Sequence, residues 1–236
     1  MIAGARSGPR LGGAPLGRIS REKGQLMFGD GALSFREHVM REPLPLATVH
    51  DAVLDFLHGR DDAALFGAQA VNAYVDESRM TQDVDILSTR AAGLAEDIRR
   101  FLNKKFKIAA AVREIREGLG YRVFQLQKPK NRHLVDVRPV AAFPPTQRVD
   151  DVLVLAPDEL IANKLISWQR RMGLPKAFTD RRDLAVLLLR FPELKAVAGP
   201  VRARREAGGA SESDLAAWAQ VVAQEIREET DSEEFE

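Results

Sequence analysis

The sequence predicts an α/β (α+β) fold, with a small mixed sheet flanked by helices and followed by a mainly helical C-terminal region. Two observations carry this. Short alternating apolar and polar runs of strand length recur between longer stretches whose apolar residues fall three and four apart, the two periodicities of half-buried strand and amphipathic helix. From Pro157 onward, helical spacing runs almost unbroken to Leu189.

The start of the chain is rich in Gly and Arg and lacks hydrophobic periodicity. Residues 1 to about 24 therefore read as disordered or as a misread upstream start, within a flexible segment reaching about residue 45. From Thr48, a candidate N-cap, the residues Val49, Ala52, Val53, Phe56 and Leu57 form one apolar helical face. Ala63 to Gly67 reads as a first strand ending in a small-residue turn, with a helix over Gln69–Tyr74 behind it. Asp83 to Leu87 reads as the second strand. Ala91 to Phe106 follows as a helix with Leu94, Ile98, Phe101 and Leu102 on one side, and Ile108 to Leu119 as another ending at Gly120. Tyr121–Leu126 and His133–Val137 alternate as strands around a hairpin-like turn at Lys128-Pro129-Lys130-Asn131.

A short apolar strand after Pro144-Pro145 leads to Pro157-Asp158-Glu159, a helix start with Pro in the first turn and acids near the positive dipole end. The sheet-bearing core is thus placed at 46–150 and its helical continuation at 151–200. The remainder, 201–236, holds an Arg/Gly/Ala linker to about residue 210, an amphipathic helix over Ser211–Ile226 and an acidic tail. Leu215, Trp218, Val222 and Ile226 line one stripe of that helix, and Ser211 with Asp214 forms a candidate capping box.

Composition bounds the functional classes. At 236 residues, 45% apolar and 29% charged, the chain can bury a core of globular size. Its longest apolar runs, such as Asp151–Ala156, fall far short of the ~20 residues that span a bilayer, so no membrane association is expected. The basic start has no apolar stretch ahead of a cleavage site and does not read as a secretory signal. With no Cys, disulfides, catalytic thiols and thiolate zinc sites are excluded, which fits a cytoplasmic setting. His50, His58 and His133 show no ligand spacing and read as surface or structural residues. Net charge is only +1. The Lys104/Lys105/Lys107 cluster and the set Lys128, Lys130, Arg132 and Arg138 read either as solvated faces or as docking charge for a polyanion such as triphosphate or RNA.

The most informative feature is Gln82-Asp83-Val84-Asp85-Ile86-Leu87. On an extended strand Asp83 and Asp85 share one face, about 6.6 Å apart along the strand, while Val84 and Ile86 take the other. Two bare carboxylates there repel by roughly 2.5 kcal/mol at an effective dielectric of about 20, a cost that a divalent cation such as Mg²⁺ or Mn²⁺ removes. The other reading is the wet face of an ordinary strand. Upstream, Phe66-Gly67-Ala68-Gln69 makes a strand, a small-residue turn and a helix start, whose free N–H groups suit phosphate. Downstream, Asp136 sits between apolar neighbours and would supply the third carboxylate of a two-metal site.

Gly67-Ala68, Arg79-Met80-Thr81-Gln82-Asp83-Val84-Asp85 and Asp136 resemble the signature of the DNA polymerase β-like nucleotidyltransferase superfamily. The Arg-x-Thr-x-Asp-x-Asp string is similar to its AbiEii/AbiGii toxin branch. Lys164-Leu165, Arg170 or Arg171, and Asp180-x-x-Asp183-Leu184 continue the likeness, which covers about residues 48 to 190. It implies a nucleotidyltransferase palm acting on a nucleoside triphosphate. Asp83, Asp85 and Asp136 would hold Mg²⁺ or Mn²⁺, with Asp136 also helping to deprotonate the acceptor hydroxyl. Gly67, Ala68, Gln69, Arg79, Thr81 and Lys164 would bind nucleotide, and Asp180, with Asp183 one turn on, would take an active-site role. The implied biology is a toxin that modifies an acceptor such as tRNA and is silenced by an antitoxin. The pattern departs at Ala68, where the family carries Gly or Ser: Ala68 can offer only its backbone N–H. Two other readings share the core, a small-molecule nucleotidyltransferase of the antibiotic-modifying kind and a non-catalytic nucleotide-binding protein.

Overall fold

The computed structural model describes residues 44–227, and the predicted disordered start and acidic tail lie outside them. Seven strands form one mixed sheet: β1 (Ala63–Phe66), β2 (Val84–Ser88), β3 (Ala110–Ile115), β4 (Gly120–Gln125), β5 (Arg132–Pro139), β6 (Thr146–Val149) and β7 (Val152–Leu155). Their order across the sheet is β3-β4-β5-β2-β1-β7-β6, with β2/β5 and β1/β7 parallel and the other pairs antiparallel. The helices are α1 (Leu46–Leu57), α2 (Gly67–Asn72), α3 (Ala91–Phe106), α4 (Pro157–Arg170), α5 (Pro175–Arg190), α6 (Pro200–Ala207) and α7 (Glu212–Ala223). The predicted mixed sheet with a helical C-terminal region is present.

The central strands explain which face is free for chemistry. Val84, Ile86, Val123, Val135 and Val137 are fully buried, while Asp85, Asp136 and Arg122 alternate with them on the opposite face. The apolar face is covered from α3, where Leu94, Ile98 and Leu102 recur every fourth residue with no exposure, and α3 packs on β2 to β5. Each such side chain contributes roughly 1.5–3 kcal/mol on burial, so a charge at Ile98 would unseat the helix. α1 packs on α3, β5 and β7. It starts two residues before Thr48, after Pro45, and no side chain caps it.

Three elements differ from expectation. Residues 108–119 are not helical, although their Ala, Glu and Arg content favours a helix. Lys107 ends α3 in a left-handed conformation, φ 56°. Asn103 then captures Ala110: its Oδ1 accepts from the Ala110 N–H at 2.7 Å. The following residues pair with β4 from Ala110↔Gln125 to Ile115↔Gly120, and this tertiary ladder outweighs the local preference. Strand β6 was not anticipated; it joins β7 through Asp150 and Asp151, both at positive φ, the backbone of a two-residue hairpin turn. The expected linker at 200–210 is α6 as far as Ala207, started by Pro200 in its first turn and anchored by buried Val201. The last helix is capped as predicted: Ser211 Oγ accepts from Asp214 N–H at 3.3 Å and Asp214 Oδ2 from Ser211 N–H at 2.9 Å. Trp218 is buried there and donates to Ala196 O at 3.0 Å.

Strand β5 carries an irregularity that shapes the site. Val123 faces Val135 but Phe124 faces His133, so Leu134 is an extra residue on β5, a bulge.

Candidate active site

The register places one side chain per strand in a row across the sheet: Phe66 opposite Asp85, Asp85 opposite Asp136, and Asp136 opposite Arg122. Asp83 lies one residue ahead of β2, where Thr81 Oγ1 donates to its carbonyl at 3.1 Å. Thr81 in turn accepts from Gln69 Nε2 at 3.1 Å, and the same amide nitrogen lies 3.3 Å from His50 Nδ1. Burial pushes the His50 imidazole down, so this network is held by a neutral ring.

Gly67 is dictated by this row. Its φ is +72°, and a Cβ there would fall 2.2 Å from Asp85 Oδ2 and 2.9 Å from Asp85 Cγ. The β1–α2 turn therefore runs directly against the central carboxylate. Burial, then the Asp83 charge, push the Asp85 carboxyl up to about 6, against partial relief from Arg138 and Lys164. Asp136 goes the other way. Burial alone would raise it, but hydrogen bonds from His133 and Arg122 bring it down to about 2. Arg122 grips it with two bonds, Nε to Oδ1 at 2.9 Å and Nη2 to Oδ2 at 3.0 Å. His133 spans the outer carboxylates, with Nδ1 3.1 Å from Asp83 Oδ2 and Nε2 2.9 Å from Asp136 Oδ1.

A second charged group stands beside the first. Asp183, fully buried on α5, accepts from Arg79 Nε and Nη2 at 2.7 and 2.8 Å and from Lys164 Nζ at 2.7 Å. Burial works against the charged carboxyl, yet Arg79 and Lys164 hold it below the usual range. Asn72 fixes Arg79 by both backbone groups, donating to its carbonyl at 2.9 Å and accepting from its N–H at 3.1 Å. The charges of Asp83 and Asp180 act on Arg79, and that of Lys164 on Asp85, which joins the two groups electrostatically.

A glycine turn against an acidic strand, a carboxylate on the neighbouring parallel strand and a buried Arg/Lys/Asp group are the parts on which the sequence likeness rested. The family described as "Nucleotidyl transferase AbiEii toxin, Type IV TA system" matches residues 51–235. The chain belongs to the AbiEii nucleotidyltransferase family.

Solved structures similar to this AbiEii-family chain include the following three. The Megavirus polyadenylate synthase is 16% identical with a TM-score of 0.49; the match covers 75% of this chain and spans 41% of the synthase. The antibiotic-resistance factor ANT(2'')-Ia is 14% identical, TM-score 0.45, covering 74% of this chain and 94% of that one. An antigenic nucleotidyltransferase-like protein from Paracoccidioides brasiliensis is 17% identical, TM-score 0.40, covering 75% and 90%. A comparison with curated proteins finds no match.

The residues of the AbiEii chain fit a divalent cation. Asp83, His133 and Asp136 offer ligand atoms all within 4.8 Å of one another, and Asp85 stands beside Asp136 on the neighbouring strand without belonging to that cluster. Of the expected site residues, Asp83, Asp85, Asp136, Gly67 and Thr81 gather here, and Gln69 joins through its side chain as well as through the turn. Ala68 lies in the first turn of α2 beside Gly67. Arg79 and Lys164 are brought together by Asp183, while Asp180 is buried and bound to Arg171 Nη1 at 2.7 Å. The acid that meets the cations is thus Asp183 and not Asp180. Sequence reasoning missed Arg122 and His133. Arg122 was not recoverable from the turn, because a regular hairpin through 128–131 sets Val123 opposite Asp136 and turns Arg122 to the other face, whereas the observed pairing is Arg122↔Asp136. Nor was His133, because strict alternation puts residues three apart on opposite faces. Among the described residues no helix is long and apolar enough to cross a membrane.

Proposed function

We propose that this chain is an active, metal-dependent toxin that moves a nucleoside monophosphate from a nucleoside triphosphate to RNA, tRNA being the acceptor class, and that a cognate antitoxin restrains it. The observation that carries the reading is the row formed by Asp85 and Asp136 on adjacent parallel strands, with Asp83 at its edge and the Gly67 turn pressed against Asp85. In the reaction, the acceptor oxygen bonds to the α-phosphorus, pyrophosphate leaves, and the acceptor proton passes to a base. A divalent ion bound there would neutralise triphosphate charge and align the attacking oxygen. Asp83 and Asp85 hold the negative charge that positions such an ion. Asp136, held charged to about pH 2, suits ion binding better than the proton-accepting part expected of it. The Gly67 turn and the Ala68 and Gln69 N–H groups approach the phosphates, and Arg79 and Lys164 supply positive charge.

RNA is favoured over a cationic small molecule by the charges beside the acids. Arg122 and Arg138 flank Asp136, and Arg138 lies 4.7 Å over the Phe66 ring, a cation on a flat apolar surface where a base or ribose can rest. The test is to supply the purified chain with each α-labelled triphosphate and Mg²⁺ or Mn²⁺, offering bulk tRNA, total RNA or aminoglycosides as acceptors. Label entering tRNA supports the reading. Label entering only the aminoglycoside supports the antibiotic-type alternative, and nucleotide binding without any transfer supports a non-catalytic protein, to which Ala68 would then be the clue.

A further inference from the structure

The β5 bulge turns one imidazole into the acidic row. Had β5 been regular, His133 would lie on the face opposite Asp136; the extra residue Leu134 resets the alternation, and His133 pairs with Phe124 on the acidic face. Both Leu134 and Val135 are fully buried in consequence, while His133 keeps partial exposure. Bulges that re-aim a side chain beside a site weaken the ladder locally, so the aimed residue is the feature to explain.

The contacts of that imidazole are compatible with those of a metal ligand as well as with hydrogen bonds. Nδ1 stands 3.1 Å from Asp83 Oδ2, close to the roughly 3.0–3.1 Å that separates two donors at right angles around an ion with bonds of about 2.1–2.2 Å. Nε2 stands 2.9 Å from Asp136 Oδ1, the arrangement in which a ligating histidine gives its other N–H to a carboxylate. A neutral imidazole has one N–H for these two contacts, so the nitrogen facing Asp83 is matched either by a second ring proton or by a cation held between it and Asp83.

We propose that His133 Nδ1 is an inner-sphere metal ligand beside Asp83, making a mixed nitrogen–oxygen site that takes Mn²⁺ in preference to Mg²⁺. Mg²⁺ demands oxygen donors and keeps its waters, whereas first-row transition ions accept imidazole readily. Nε2–H holds Asp136 in place at the same time. This rests on the metal-site reading above, and the test separates the two.

The full chain is titrated with Mn²⁺ alone and with Mg²⁺ as competitor, following free Mn²⁺ by electron paramagnetic resonance, and bound Mn²⁺ is examined by pulsed resonance for nitrogen coupling, with ¹⁵N-histidine protein as control. Wild type is expected to bind Mn²⁺ at least ~10-fold tighter than Mg²⁺ and to show directly coordinated histidine nitrogen. His133→Asn is expected to keep a bound ion, lose the nitrogen coupling and bring the two affinities within ~3-fold. Bound Mn²⁺ without nitrogen coupling in wild type, lost on Asp83→Asn with Asp85→Asn, overturns the His133 assignment and leaves the carboxylate site standing. Retention of the Mn²⁺ preference in His133→Asn also overturns it. Absence of divalent-ion binding in wild type overturns both readings. The wild-type nitrogen signal decides the matter even where the variant fails to fold.

Discussion

Asp85 on β2 and Asp136 on β5 stand opposite each other in a parallel strand pair, yet their carboxyls are driven apart, Asp85 up to about 6 and Asp136 down to about 2. The difference lies in their partners. Asp136 is bonded by Arg122 and His133, whereas Asp85 is buried next to Asp83 with Gly67 against it.

That asymmetry gives a pH prediction for the metal-free protein. Asp85 is raised in the fold, so its share of stability is full below the ordinary carboxylate value and is lost as pH rises through about 6. Asp85→Asn should therefore raise the melting temperature in chelator at pH 7.5 by at least ~3 °C, given about 2–4 °C per kcal/mol for a chain of this size. The gain should vanish below pH 4. For Asp136 the sign reverses: its contribution is present above about pH 4 and is lost as pH falls toward 2. Thermal melts of Asp85→Asn and Asp136→Asn across pH 2–8 check the pair.

Gly67→Ala combines a left-handed backbone with a Cβ placed 2.2 Å from Asp85 Oδ2. A strained non-glycine residue costs of order 1–3 kcal/mol, and relief requires the turn or Asp85 to shift. We expect a lower melting temperature together with at least ~10-fold weaker nucleotide binding, read by calorimetry. Unchanged binding would mean that the turn does not face the nucleotide.

Asp183→Asn leaves Arg79 and Lys164 facing a neutral amide in a site where the acid is fully buried. Breaking one side of a buried ion group typically costs about 3–5 kcal/mol. Chemical denaturation should show a loss of that order, while Asp180→Asn, which removes a single arginine contact, should cost less. Equal losses would contradict the central place given to Asp183.

The parts of this fold that were legible in the sequence are those where local pattern and tertiary packing agree. Helix α3 runs from Ala91 to Phe106 as its apolar spacing predicts, and Val84 and Ile86 are buried behind Asp83 and Asp85. Illegible were places where long-range pairing decides. Residues 110–115 carry helix-forming side chains but find a partner in β4 and a tether in Asn103. The Asp150-Asp151 turn closes a hairpin without the usual glycine. His133 reaches the acids only because one extra residue on β5 reverses its side, a register event that no count of spacing along the chain can reveal.

Asp85→Asn is the decisive variant for nucleotidyl transfer by the carboxylate row, because the substitution should stabilise the metal-free fold while removing charge proposed to hold the ion. The measurement is the rate of label transfer from α-labelled triphosphate to tRNA, with melting temperature recorded on the same preparations. Wild type is expected to transfer label and Asp85→Asn to lose at least ~100-fold, with the variant as stable as wild type or more so at pH 7.5. Transfer at wild-type rate by Asp85→Asn, or none by wild type with any triphosphate and either metal, would contradict this role of the row.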